Sequence, residues 1–574
     1  MAAALLTLLL AAAAAAYLSP SYRPLVTTLE GTVSGATDRS ADGSLFFSFK
    51  GIRYAQPPVG PLRFEPPLRH PGWRGIVDAL EHGNKCAQFE AFNSNSNNTR
   101  LGVEDCLFVN VYTRQLPGRE NTLTGLPVMV YVHGGGFYLG SGDSDIYGPH
   151  YFMDEPVVLV TFNYRLGPFG FFTTHDAAAP GNYGMLDQVL LLQWVQDNIA
   201  AFGGDPKLVT IFGQSAGGAS VSLLVLSPLG KGLFQHAISQ SGASFSFFAA
   251  SGKRRGLAVK LATQLGCLQP NSDALVECVK RTPTQVLQDA WEAIGEHDNI
   301  GFRPRADRER SLPFLPDDAR VLLATGNFNL VPWISGTTSL EGALFLPQQL
   351  PTEEFVNEII DKNLTVWSSF LELIGESRFR ILDCGADPIE ETIRAINFFV
   401  GSGSVTIKAL ADILSDRIFV NEISEEIRLA SAHAPVYKYV LDHMGPGRLT
   451  LGDNPPKPDN LPYPVTELGV SHDADTLYLF TRANRDREQP GTPAYFMVRF
   501  MVNLWTNFAR TGRPSSDVLP TPDWPIFNEK YQRHMRLNSQ PALGERLFEE
   551  RVNFWQTVRI NEQWRHLLDR SPCF

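Results

Sequence analysis

The sequence predicts an α/β fold built on a large, mostly parallel central sheet flanked by helices. Three observations lead there. Short apolar, β-branched runs recur at Leu126–Val132, Val157–Asn163 and Leu208–Phe212, as strands buried on both faces of a parallel sheet require. Between the second and the third, Leu186, Val189, Leu190 and Val195 return at helical spacing. Gly203-Gly204-Asp205-Pro206 then stops that helix, because Gly tolerates the left-handed turn at a helix end and Pro cannot continue the helix. Strand, helix and strand in series is the α/β pattern.

Later strands are expected at Trp333–Gly336 and Val436–Leu441. The stretch from about Asn357 to Ile427 reads as helical, with mixed charge and aromatics, inserted over the C-terminal edge of the sheet. The length of 574 residues suggests roughly four domains as a soft prior. No repeat and no Gly/Ser- or Pro-rich linker divides the chain, so one domain is expected over residues 17–574.

Composition removes several function classes. Hydrophobic residues make up 44% and charged residues 19% of the chain, enough apolar surface to offset the entropy of ordering a core. The net charge of −11, with no basic run, argues against a nucleic-acid partner. The 12 His and 6 Cys are too scattered for a zinc-finger pattern, and no metal or cofactor is expected.

The N-terminal run Ala2–Ala16 is apolar except for Thr7, too short for a bilayer core of about 30 Å. Small residues before Tyr17 suit signal-peptide cleavage, so residues 1–16 are expected to be removed and the mature protein to be secreted, with no membrane span. The polar C-terminal stretch offers no lipid-anchor signal. In an oxidising compartment, Cys86 with Cys106 and Cys267 with Cys278 would each close a local loop. Cys384 and Cys573 remain undecided. Asn97 and Asn363 open sequons that a glycan could occupy.

The chemistry is carried by Gly213-Gln214-Ser215-Ala216-Gly217, a G-x-S-x-G pattern between the strand run Leu208–Phe212 and the helical run Ala219–Leu226. That setting exposes a serine hydroxyl on a sharp turn. The helix N-terminus behind it offers backbone N–H groups and the positive end of a dipole. His133-Gly134-Gly135-Gly136-Phe137 follows another strand, and its glycines let backbone N–H groups face a reacting oxygen. A phosphate loop would continue Lys-Ser/Thr, whereas Phe-Tyr-Leu follows here. The expected oxyanion donors are Gly135, Gly136 and Ala216.

These residues resemble the carboxylesterase/cholinesterase family. The resemblance extends through Gly51-Ile52-Arg53-Tyr54-Ala55-Gln56-Pro57-Pro58-Val59-Gly60, Glu104-Asp105-Cys106-Leu107-Phe108-Val109-Asn110-Val111, Phe202-Gly203-Gly204-Asp205-Pro206 and Trp505-Thr506-Asn507-Phe508-Ala509. It implies an α/β-hydrolase with helical insertions around an active-site gorge. The segment from Gly140 to Pro149 looks most like the arthropod carboxylesterases, and Gly213-Gln214-Ser215-Ala216-Gly217 is similar to the juvenile hormone esterases.

The resemblance also implies a Ser, acid, His order. Gly336-Thr337-Thr338-Ser339-Leu340-Glu341-Gly342 resembles the acid loop and points to Glu341. Gly469-Val470-Ser471-His472 resembles the histidine loop and points to His472, with His443 as runner-up. The family's usual Gly-Asp-Glu-Leu after the histidine is replaced by Asp473-Ala474-Asp475-Thr476-Leu477. Ser241 is expected either beside the triad or as a simple strand-end turn residue.

The expected activity is hydrolysis of a small-molecule carboxylic ester. Between Cys86 and Cys106 there are Phe89 and Phe92 but no Trp, and Gln214 stands where cholinesterases carry Glu. Both differences weaken a site for a quaternary ammonium and favour an uncharged, lipophilic ester, such as a juvenile hormone-like methyl ester. A general detoxifying carboxylesterase is the alternative, and a non-catalytic ligand-binding or adhesion protein is the alternative of another class. The oligomeric state is not written in the sequence.

Overall fold

The computed structural model describes residues 23–89, 100–118, 125–246, 248–249, 255–294, 301–346, 357–359, 361–363, 366–367, 387–445 and 469–558. Residues 1–16, Asn97, Cys384 and Cys573 lie outside these.

Eleven strands form the main sheet: β1 Ala36–Arg39, β2 Leu45–Arg53, β3 Phe108–Thr113, β4 Leu126–Val132, β5 Val158–Phe162, β6 Gly204–Gln214, β7 His236–Gln240, β8 Trp333–Thr338, β9 Val436–Leu441, β10 Arg533–Leu537 and β11 Ala542–Glu545. Their spatial order is 1-2-3-5-4-6-7-8-9-10-11. The run from β5 to β10 is parallel, and the strands at both ends pair antiparallel. Parallel neighbours need crossover connections, which helices supply. Helix α1, Tyr183–Asn198, joins β5 to β6, and α2, Ala216–Leu226, joins β6 to β7.

The strand alternation divides the core in two. Val128, Val130 and Val132 of β4 join one buried cluster, while Met129 and Tyr131 join the other. All seven residues of β4 are buried, as a central strand covered on both faces must be. Gly203 ends the α1 region in the left-handed conformation, at φ 88°, a backbone state that Gly adopts without penalty.

Both expected cysteine pairs are disulfide-bonded, Cys86 to Cys106 and Cys267 to Cys278. Asn363 is exposed, and its Nδ2 donates to Glu358 Oε2 at 3.0 Å. No helix among the described residues is long and apolar enough to cross a membrane.

Within the region expected to be helical, α3 (Ile407–Ser415) and α4 (Asn421–Ser431) are joined without a break by one π turn, Asp416–Val420. Helix α4 packs on α2 through a buried carboxyl. Glu426 Oε1 accepts from Ser222 Oγ at 2.5 Å, Ser244 Oγ at 2.6 Å and Ser244 N at 2.7 Å. Burial pushes the Glu426 carboxyl up to about 7, against the lowering effect of these hydrogen bonds. A folded-state pKa above the unfolded value makes the native state hold more protons, so this stability is lost as pH rises from about 4.5 to about 7. Glu426→Gln, which never ionises, is therefore expected to flatten the fall in melting temperature across that window. Parallel melting curves for parent and variant would contradict the assignment.

Candidate active site

Three loops leaving the C-terminal ends of β4, β6 and β8 meet at one place, together with the loop 469–475. The first is the elbow after β6. Ser215 caps α2 at φ 58° and ψ −126°, a strained conformation for a residue with a side chain. Gly213 and Gly217 make that turn feasible. A Cβ on Gly213 would stand 2.6 Å from the Val132 carbonyl oxygen, and one on Gly217 would collide with the same atom. Ser215 keeps partial exposure while its flanking residues are buried.

The second loop follows β4. His133 Nδ1 lies 2.8 Å from the Gly134 carbonyl oxygen, and its ring stacks on Tyr164 at 4.4 Å. Burial pushes His133 down to about 4, so it is a neutral anchor for the glycine turn. A Cβ on Gly134 would lie 3.2 Å from Ser215 Cβ, which measures how closely this loop covers the elbow. Gly135 and Gly136 have φ of 105° and 60°. Among the described residues no acceptor takes their N–H groups. Ala216, the first residue of α2, has no intrahelical acceptor for its N–H either. The N–H groups of Gly135, Gly136 and Ala216 thus have no acceptor among the described residues.

Replacing Gly135 tests this loop. An added Cβ would run into the Leu139 carbonyl and sit at a disfavoured positive φ. Gly135→Ala is expected to lower kcat about 10²–10³-fold, the cost of one misplaced oxyanion donor. A folded variant with parental kcat would show that this N–H is not used.

The third loop holds Glu341, fully buried in a short 3₁₀ turn after β8. Its Oε2 lies 2.6 Å from Nδ1 of His472. Its Oε1 accepts from Ser241 Oγ at 2.6 Å and from the Thr338 N–H at 2.7 Å. Ser241, the residue with two readings, therefore stands beside the carboxylate. Gln214, immediately before Ser215, brings its Nε2 to 3.0 Å from Nε2 of His472. The imidazole so lies alongside the elbow, with Nδ1–H toward Glu341 and the Nε2 lone pair accepting from the Gln214 side-chain NH₂. His443 lies elsewhere, its ring against Tyr478.

Two features escaped sequence reasoning. Asp475 is fully buried three residues after His472, and its Oδ2 accepts from Gln240 Nε2 at 2.7 Å and Tyr439 Oη at 3.3 Å. Burial pushes this carboxyl up to about 7, and the nearby charge of Glu341 adds to the rise. Its position just after the histidine was the available signal. Phe419, on the π turn, lies face-on to the His472 ring with centroids 4.3 Å apart. Phe345 flanks both rings, at 6.0 Å from His472 and 5.8 Å from Phe419, and Phe248 stands 5.7 Å from Phe419. No spacing in the sequence could have placed this aromatic wall. Among the described residues no group of His, Cys, Asp and Glu could hold a metal ion.

Comparison with known proteins gives consistent relatives. The model of the carboxylesterase family matches residues 22–555. A juvenile hormone esterase of Tribolium castaneum is 35% identical, over 86% of this chain and 84% of that protein. Venom carboxylesterase-6 of Apis mellifera is 30% identical, over 94% and 95%. An acetylcholinesterase of Danio rerio is 32% identical, over 94% and 91%.

Proposed function

Because the chain belongs to the carboxylesterase family and is a carboxylic ester hydrolase, we propose that Ser215, His472 and Glu341 are its catalytic triad. The observation that carries this reading is the linked set of contacts from Glu341 through His472 to the elbow residue Gln214. Ser215 Oγ attacks the ester carbonyl carbon while His472 Nε2 takes its proton. The oxyanion is met by the N–H groups of Gly135, Gly136 and Ala216. Collapse expels the alcohol, which receives the proton from His472, and water then cleaves the acyl-enzyme through the same base. Glu341 holds the imidazole tautomer and balances the imidazolium without taking the proton.

The substrate is an uncharged, lipophilic ester, of the kind a juvenile hormone-like methyl ester represents. Gln214 places no negative charge beside the nucleophile, and Phe345 and Phe419 set apolar rings against the imidazole, with Phe248 packed on Phe419. The chain's similarity to a protein named juvenile hormone esterase supports the same class. The protein is secreted after loss of residues 1–16, acts as one domain over residues 17–574, and carries glycans at Asn97 and Asn363. Two disulfides and the apolar N-terminal run support that reading.

The test is kcat/KM for a panel of a juvenile hormone-like methyl ester, short-chain neutral esters and a choline ester. The long neutral ester should be preferred and the choline ester disfavoured. Equal rates on all neutral esters would instead identify a general detoxifying carboxylesterase, and preference for choline would overturn the neutral-substrate reading.

A further inference from the structure

The π turn Asp416–Val420 lies against one partner of the proposed acid–base pair, His472, and the residue before it, Ser415, bonds the backbone next to the other, Glu341. The turn is closed by the Asn421 N–H donating to the Asp416 carbonyl, one residue further than a regular helix allows. The extra residue alters which side chains face the site. Phe419, 1% exposed, lies with its ring at 26° to the His472 ring. Ser415, at the start of the turn, accepts the N–H of Gly342 at 2.8 Å, next to Glu341. On its far side, Asp416 is held by Arg551 Nε at 2.9 and 3.0 Å and by Trp555 Nε1 at 3.1 Å, both from the C-terminal helix α5, Glu549–Thr557.

We propose that Phe419 is a positioning residue for ester hydrolysis whose ring face takes up part of the positive charge that His472 acquires in the transition state, and that the Asp416–Arg551 pair keeps the turn aligned for it. This rests on His472 being the base. The physical basis is the quadrupole of the aromatic ring, whose negative face attracts a cation within about 6 Å. A general base receives its proton only during the attack, so the attraction strengthens as that proton arrives, and interactions stronger in the transition state raise kcat. Packing alone needs neither the parallel stack nor the π turn, since a regular helix can bury an apolar side chain without an extra residue.

Fluorination tests the charge term at constant shape. Phenylalanine analogues carrying one to three ring fluorines, placed at position 419, withdraw electrons from the face with little change in volume. The expected result is a stepwise fall in kcat at unchanged KM and melting temperature, reaching about tenfold for the trifluoro analogue. Phe419→Leu should fall similarly, and Phe419→Tyr should retain parental kcat. A flat kcat across the fluorinated series overturns the proposal, as does a Phe419→Leu variant with parental kcat. His472→Ala separates the two readings. If it retains turnover, the triad itself is wrong. If it is inactive while the fluorinated series stays flat, only the role of Phe419 fails.

Discussion

Ser215→Ala is expected to abolish turnover of a chromogenic ester, with kcat falling about 10⁶-fold and no label taken up from an organophosphate. The change removes one oxygen from a partly exposed side chain, while the backbone of the elbow is set by neighbours that remain. Its N–H still donates to the Gln240 carbonyl at 2.8 Å, and its own carbonyl still accepts from Ala219 at 2.9 Å. The fold should therefore persist. The glycine loop and Ala216 should leave a residual rate about 10³–10⁴-fold above water, because oxyanion stabilisation survives loss of the nucleophile. Substantial turnover in the folded variant would mean that another group attacks the ester.

Glu341→Gln should lower kcat about 10⁴-fold with the fold retained, the loss typical of an amide in place of a triad acid. The carboxylate accepts on both oxygens: from Nδ1–H of His472 on Oε2, and from Ser241 Oγ and the Thr338 N–H on Oε1. A glutamine has one oxygen and one NH₂ group for these two sides. With the oxygen toward Thr338, the amide NH₂ faces Nδ1 and favours the tautomer whose Nε2 carries the proton. That nitrogen then cannot receive the proton of Ser215. With the amide reversed, NH₂ meets the Thr338 N–H, two donors face to face in a buried site. Rapid-mix acylation would report the loss directly, and parental kcat would remove Glu341 from the triad.

Much of this scaffold was legible because it depends on local pattern. Leu126–Val132 and Val436–Leu441 are strands over the same residues that their apolar, β-branched composition indicates. The helix after the elbow begins at Ala216, earlier than the run starting at Ala219 suggested. Glycines obscure helical periodicity there, yet the elbow needs them for the close approach of β4. The strand starting at Leu208 extends back to Gly204 through a register shift against β4, a pairing feature that composition alone does not display.

The proposed active-site residues divide in the same way. The motifs around Ser215 and Gly135 combine sequence-local turn chemistry with the elements on either side, so the chain itself specified them. Glu341 and His472 were reached only by likeness to family loops, because a lone Glu before Gly or a lone His has no distinguishing period. Their 2.6 Å contact joins residues 131 positions apart. Ser241 against Glu341, Gln214 against His472, Asp475 beneath the pair and Phe419 over the imidazole were decided by tertiary structure alone. Each depends on where separate strand ends and an inserted helix converge, and for Phe419 on the single extra residue of a π turn. Sequence pattern specifies backbone and burial over a few residues, whereas the chemistry proposed at Ser215 depends on ångström-scale packing between distant segments.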